Sequence, residues 1–403
     1  MNLLQNPTTK LLQSHRRFTV CSPSPSLSRR RFSVRSSLPS LAQNAKYNAE
    51  LRAAVDAVER ACCLCVDVKR SLFTSDGRIL EKNDQTPVTI ADFGAQALIS
   101  LELGKLFPSI PLVAEEDSAF LRSNNLVDSV VNVVTDKASS QDKALTQADV
   151  VKAIDRRGEF GPKPATYWVL DPIDGTRGFV KGSDALYVVG LALVVEGQIV
   201  LGVMGCPNWR VDKSASKPHE YENEPGIIMA AHVGCGTWAK GLPDLQNPEV
   251  NWYRCLVDGY TLVHKGRYCI SESQTWDSLP LSSSFGSTTD VDNVGDEEVL
   301  LLPTCCGSLC KYLMVASGRA SVFIQRARVD RVIKIRVWDH AVGVICVQEA
   351  GGEVTDWNGD QLDLAADEVE RKALFPPGGI LVSNSGLHQE ILEIIASKSS
   401  VIS

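Results

Sequence analysis

The chain has 403 residues, 44% of them hydrophobic and 22% charged, and carries a formal net charge of -7. That composition supports a packed core and excludes a fibrous or wholly disordered chain. The acidic balance speaks against a nucleic-acid-binding groove. The longest apolar run, Ala185–Val195, stops at Glu196, well short of the roughly 18 residues that a membrane span needs. The histidines, at 15, 219, 232, 264, 340 and 388, never form a close pair, so a His-rich zinc site is not expected.

The charge is unevenly spread. Residues 1–49 hold no Asp or Glu and eight basic residues, including the run Arg29, Arg30 and Arg31. The same stretch is rich in serine and carries Pro23 and Pro25, the composition of an organellar transit peptide. Residues 1–40 are therefore set apart from the fold, and an organelle matrix is the expected location. Arg-richness and RFSVRSS point to the mitochondrion, while Ser-richness keeps the chloroplast stroma open.

A helix is predicted over 47–70. Val55, Val58, Cys62 and Cys65 follow its spacing, so the CxxC thiols read as small core residues. No second pair of that spacing exists to complete a zinc site. A second helix is predicted over 89–106 with Pro108 beyond its end, then a strand at 110–114. Residues 122–165 read as an irregular inserted segment with a helix near 144–154. YWVL (167–170) is predicted as a strand, and ALYVVGLALVV with QIVLGVMG as a hairpin split at Glu196-Gly197. The Pro-containing stretch 206–225 marks an expected domain boundary. After it come strands at 226–234 and 268–273, a helix over 308–317, the strand ASVFIQ, a helix over 339–350, a strand at 380–383 and a helix over 387–397. The fold class is thus α/β, with an α+β N-terminal domain (41–210) and an alternating C-terminal domain (211–403).

Four acidic clusters sit at the ends of these elements. KNDQTPVTIAD holds Asp84 and Asp92, VAEED holds Glu115, VLDPIDGTRGF holds Asp171 and Asp174, and VWDH holds Asp339. Each alone has an ordinary explanation; Asp339, for example, could cap a helix. Together, at strand ends, they point to one cleft. Converging carboxylates repel unless cations lie between them, and an all-oxygen set favours Mg²⁺ or Mn²⁺ over Zn²⁺. In DPIDGT, Pro172 stiffens the turn, so the Ile173 carbonyl can join Asp171 and Asp174 as a neutral ligand. Gly175 permits close backbone approach, and Thr176 offers a hydroxyl at a helix start that can face a phosphate.

KxDxTPVTxAD, EED, DPIDGT and WDHAxG, in this order, resemble the metal-dependent phosphatases of the inositol monophosphatase superfamily, over about residues 45–397. The resemblance implies a layered αβαβα sandwich and two or three Mg²⁺ ions. It implies Glu115, Asp171 and the Ile173 carbonyl as ligands of one ion, with Asp171, Asp174 and Asp339 holding a second. Asp84 and Thr176 are the implied activators of the attacking water. Gly175 and Thr176 are implied to hold the phosphoryl group through their backbone, with Asp339 also facing substrate. Chemistry of this kind uses one ion to activate water and another to hold the leaving oxygen.

The long segment between Glu115 and Asp171, with GVMGCPNW (202–209) and GSLCKY, is similar to the 3'(2'),5'-bisphosphate nucleotidase branch. That branch hydrolyses 3'-phosphoadenosine 5'-phosphate (PAP) to AMP. Ser308 and Lys311 are then the implied 5'-phosphate or ribose contacts. Two positions depart from the branch. Thr275 stands about where a substrate-contacting His is expected, and Gln325 stands where an Arg is expected, with Arg326 one residue along. The departures keep two other readings open: an inositol phosphate phosphatase of the same fold, and a non-catalytic nucleotide-binding protein. The expected partner is a small phosphorylated molecule, with no nucleic acid or membrane.

Overall fold

The computed structural model describes residues 44–74, 80–81, 87–138, 145–156, 165–181, 185–210, 226–242, 251–271, 274–326 and 334–399. The expected transit segment (1–40), Asp84 and most of the expected boundary stretch lie outside these residues.

In chain order, α1 (Asn48–Thr74) is followed by the antiparallel pair β1 (Leu80–Glu81) and β2 (Pro87–Val88), and by α2 (Ile90–Leu106). Then come β3 (Leu112–Ala114), α3 (Ser118–Ser123), α4 (Val127–Thr135), α5 (Gln147–Ile154), β4 (Tyr167–Asp174) and α6 (Thr176–Lys181). β5 (Val188–Val195), β6 (Gln198–Cys206), β7 (Ile227–His232), β8 (Gly236–Gly241) and β9 (Tyr253–Cys255) complete a seven-stranded sheet in the order β3 to β9. Only β3 and β4 run parallel in it.

The second half adds β10 (Arg267–Ser271), β11 (Gly286–Thr288), β12 (Glu298–Thr304), α7 (Leu309–Ala316), β13 (Val322–Arg326) and β14 (Ile335–Arg336). It ends with α8 (Ala341–Glu349), β15 (Gly352–Asp356), β16 (Ala373–Leu374), β17 (Gly379–Asn384) and α9 (His388–Ser399). Its six-stranded sheet has the order β11-β12-β10-β13-β17-β15.

Three apolar clusters show the layering. One joins α1 and α2 to the first sheet, a second fills the space between the sheets around α7 and α8, and a third lies under α9. The layers are therefore helix, sheet, helix, sheet, helix, the αβαβα arrangement expected. Both faces of the first sheet are covered, which explains why β5 reads as an unbroken apolar run rather than an alternating one. The hairpin turns at Glu196 (φ 51) and Gly197 (φ 80), two successive positive values that match the twist of the paired strands. Side-chain-free positions set the helix approach. A Cβ at Gly202 would lie 2.7 Å from Ile345 of α8, and one at Gly205 would overlap Cys62 of α1. Cys62 and Cys65 are fully buried there, and burial pushes both thiols far up, so neither is nucleophilic.

Three features differ from the sequence expectation. Residues 127–135, inside the stretch expected to be irregular (122–165), form α4, because Val130 and Val134, one turn apart, are buried in the cluster around α2. β4 extends through Asp174 instead of ending at Leu170, with its register shifting between Asp171 and Asp174. The first sheet also runs on past residue 210: β6 pairs with β7 from Cys206↔Ile227 to Leu201↔His232. The two sheets divide between β9 and β10, and residues 36–403 form one compact unit.

Candidate active site

The bulged end of β4 carries Asp171 and Asp174, which are 1% and 6% exposed. Asp339, just ahead of α8, meets them: one carboxylate oxygen of each lies within 4.8 Å of the others. Glu115, at the end of β3 and so beside β4, is close enough to act electrostatically on all three. Burial, then the neighbouring carboxylates, raises Asp171 and Asp339 well above the usual carboxylate range. Asp174 is pushed up to about 6, burial again being the largest cause. Such a set is poorly balanced by itself. Hard cations placed among the oxygens would remove the repulsion, so the donor set fits the divalent ions expected.

The local backbone explains the aim of these groups. Asp171 Oδ1 accepts from Ile173 N–H at 3.0 Å, folding the DPID segment onto itself. Gly175 has φ 87, a left-handed turn into α6 that favours glycine. The Ile173 carbonyl accepts from the Thr176 hydroxyl at 3.1 Å. Asp174 is held from across the molecule: Ser308 N–H donates to Oδ1 at 3.0 Å and Leu309 N–H to Oδ2 at 2.7 Å. Asp174 thereby caps α7, whose own Ser308 side chain makes no cap. A side chain at Gly307 would overlap this carboxylate.

Asp92 belongs to the site, although only its motif and not its role was legible. It is 1% exposed. Its Oδ2 accepts from Thr89 N–H (2.8 Å) and Thr89 Oγ1 (2.7 Å), closing the cap of α2. Its Oδ1 accepts from Thr176 Oγ1 at 3.3 Å. The signal was present in the capping box T-x-x-D, but nothing local says that Thr176 would stand opposite. Gln96 of α2 braces the acidic turn after β3, exchanging bonds with Glu116 N–H (2.9 Å) and C=O (2.7 Å).

The expected substrate contacts are less uniform. Ser308 reaches the site through its N–H. Lys311 is 3% exposed, and its ammonium donates to the Gly307 carbonyl and lies 5.6 Å over the Phe323 ring. It pulls Asp174 down electrostatically, so its charge lies near the acidic cluster rather than in open solvent. Arg326 donates to the Ser278 carbonyl. Gln325 Oε1 is buried with no hydrogen-bond partner among the described residues, and Thr275 is exposed ahead of a short 3-10 turn. His340, beside Asp339, is fully buried. Burial pushes it down to about 3, and Nδ1 pairs with Tyr312 Oη at 2.9 Å.

Residues 49–400 match the sequence profile of the inositol monophosphatase family. The chain belongs to that family. It is 62% identical over 385 residues to the Arabidopsis thaliana protein named "Putative 3'(2'),5'-bisphosphate nucleotidase, mitochondrial", covering 94% of this chain and 95% of that one. It is 32% identical to the 3',5'-bisphosphate nucleotidase 2 of the same plant, over 87% of this chain and 96% of the relative. Among solved structures, the extragenic suppressor protein suhB of Bartonella henselae superposes with a TM-score of 0.54 at 19% identity, covering 86% of this chain and 98% of that one. That likeness carries the fold.

The raised carboxylates make a prediction for the metal-free protein. A group whose folded pKa lies above its unfolded value adds stability below the unfolded pKa and loses it as pH rises through the folded one. Asp174, with an ordinary value of 3.8 and about 6 in the fold, places part of that loss between roughly pH 4 and 6. The melting temperature in EDTA should therefore fall as pH rises from about 4 to 7, and saturating Mg²⁺ should reverse the fall. A flat metal-free profile would contradict the clustering.

Proposed function

We propose that this chain is a Mg²⁺-dependent phosphomonoesterase that removes the 3'-phosphate of PAP in the mitochondrion. What carries the reading is the buried meeting of Asp171, Asp174 and Asp339 beside Glu115, in a chain 62% identical to a relative named as a bisphosphate nucleotidase. When bound, the divalent ions supply Lewis acidity toward water and the phosphoryl oxygens. Asp171, Asp174, Asp339, Glu115 and the Ile173 carbonyl would hold them. Thr176 stands between two acceptors, the Asp92 carboxylate and the Ile173 carbonyl. Its hydroxyl can therefore orient water and pass a proton to Asp92. Asp84 is proposed to share that work, and the Gly175 and Thr176 amides are proposed to hold the phosphoryl group.

The deciding assay is phosphate release from PAP, its sulfated precursor and inositol 1-phosphate, with Mg²⁺ and with EDTA. PAP should be preferred, and EDTA should stop release from all three. One observation favours a second reading: Thr275 is exposed and Arg326 is tied to Ser278, so two contacts usual in the nucleotidase branch are not in place. Preference for inositol 1-phosphate would make the protein an inositol phosphate phosphatase.

The head is proposed as a mitochondrial transit peptide, in line with the name of the Arabidopsis relative. Deleting residues 1–40 should leave a soluble, active enzyme that no longer enters the organelle. A truncated protein that cannot fold would show that the head is structural.

A further inference from the structure

A substrate with two phosphates needs a cation for the one that is not cleaved. The cations expected there are committed elsewhere. Lys311 donates to the Gly307 carbonyl and is buried over Phe323, and Arg326 donates to the Ser278 carbonyl. Arg336 has no part in the chemistry above, and its setting differs from both.

Arg336 ends β14, where it pairs with Ala373 of β16. Ile335 and Val337, on either side of it, belong to the apolar cluster between the sheets, and Arg336 is exposed, as alternation along an extended segment requires. Its guanidinium carbon lies 5.5 Å over the ring of Trp338, which is 6% exposed and directly precedes Asp339. The indole gives the guanidinium a fixed floor, so a long surface side chain is held in place beside the acidic cluster. Among the described residues the guanidinium has no hydrogen-bond acceptor and no carboxylate within ion-pair distance. Its fork of N–H donors is therefore unspent. Its charge nevertheless reaches the cluster. Burial, then Asp174 and Glu115, push the Asp339 carboxyl up, and Arg336 pulls it the other way.

We propose that Arg336 binds the uncleaved phosphate of the substrate at the rim of the acidic cluster, and so selects a nucleoside bisphosphate over a nucleoside monophosphate. This rests on reading the cluster as a phosphatase centre and PAP as its substrate. Arginine suits the task because its planar fork can take two phosphate oxygens at once. The phosphate it holds is remote from the bond that breaks, so the contact is much the same in the ground state and the transition state.

The test compares PAP with adenosine 3'-phosphate, which keeps the nucleoside and the cleavable phosphate but lacks the 5'-phosphate. Both are assayed with Mg²⁺ on the full chain and on Arg336→Gln. The wild type should prefer PAP. In the variant the ratio of kcat/KM for PAP to that for adenosine 3'-phosphate should fall about tenfold or more, as for a lost charge-assisted hydrogen bond. The fall should come through KM. Mn²⁺ binding, read without turnover from the free ion by electron paramagnetic resonance, separates this role from support of Asp339. A divalent ion is repelled by the guanidinium more than the single charge of Asp339 is attracted. The variant should therefore bind Mn²⁺ as tightly as the wild type or more tightly. Should the glutamine variant not fold, Arg336→Lys, which keeps the charge and loses the fork, should still lower the ratio. A wild type that turns over both compounds but is indifferent to the 5'-phosphate, a ratio unchanged by the substitution, or a fall carried by kcat would overturn the proposal. Weaker Mn²⁺ binding in the variant would overturn it too, by making Arg336 a prop for Asp339. If the wild type releases phosphate from neither adenosine compound, the nucleotidase reading itself fails.

Discussion

Asp171→Asn should lower kcat/KM for the preferred phosphate ester by at least about a hundredfold, or roughly 2.7 kcal/mol of barrier, while leaving the fold intact. The residue is 1% exposed and its oxygens meet those of Asp174 and Asp339. An amide keeps the oxygen that accepts from Ile173 N–H, so the turn should survive. It removes the charge proposed to hold a cation on each side. In EDTA the variant should melt at the same temperature as the wild type or higher, because the lost carboxylate is one whose ionised form burial disfavours. Mg²⁺ should then raise its melting temperature less than it raises that of the wild type. Turnover within about tenfold of wild type would remove Asp171 from the metal centre.

Gly343→Ala should be the more damaging change to the fold. Alanine is the better helix former by about 1 kcal/mol, and Gly343 lies within α8, so propensity alone predicts a gain. The packing predicts a loss. A methyl at Gly343 would overlap Tyr312 Cγ and lie 2.6 Å from its Cδ1. That ring is fully buried, bonded to His340 at 2.9 Å and set edge-on to Phe323 at 5.7 Å, so it has nowhere to go. Overpacking a filled core costs about 1–3 kcal/mol, occasionally more, which outweighs the helix gain. Because His340 adjoins Asp339, displacing Tyr312 should also disturb the proposed metal site. A lowered melting temperature and weakened Mg²⁺ binding are expected together. A variant as stable as wild type would show that the contact between α7 and α8 is looser than the structure has it.

Much of the acidic cluster was legible because its motifs are local. DPIDGT holds two carboxylates and a carbonyl within a few residues, and the bulge that aims them follows from the same segment. The hairpin at Glu196-Gly197 was legible for the same reason: turn chemistry acts over two to four residues. The organisation into two kinds of sheet layer was also implied by the order of elements and by resemblance. The remainder depends on pairings between distant segments. Thr176 meets Asp92 across 84 residues, and Ser308 and Leu309 meet Asp174 across 134 and 135. The expected boundary at 210 fell within one sheet because β6 and β7 pair across it. Lys311 shows the limit most clearly. Its type and helical position suit a contact to a remote phosphate, but tertiary packing buries it over Phe323, with its charge turned to Gly307 and Asp174. Sequence by itself determined which residues could ligate a cation, since that is a matter of donor atoms and close spacing. Which carboxylates are buried together was decided only when the two sheets closed on α7 and α8, because burial and long-range charge exist only in the assembled core.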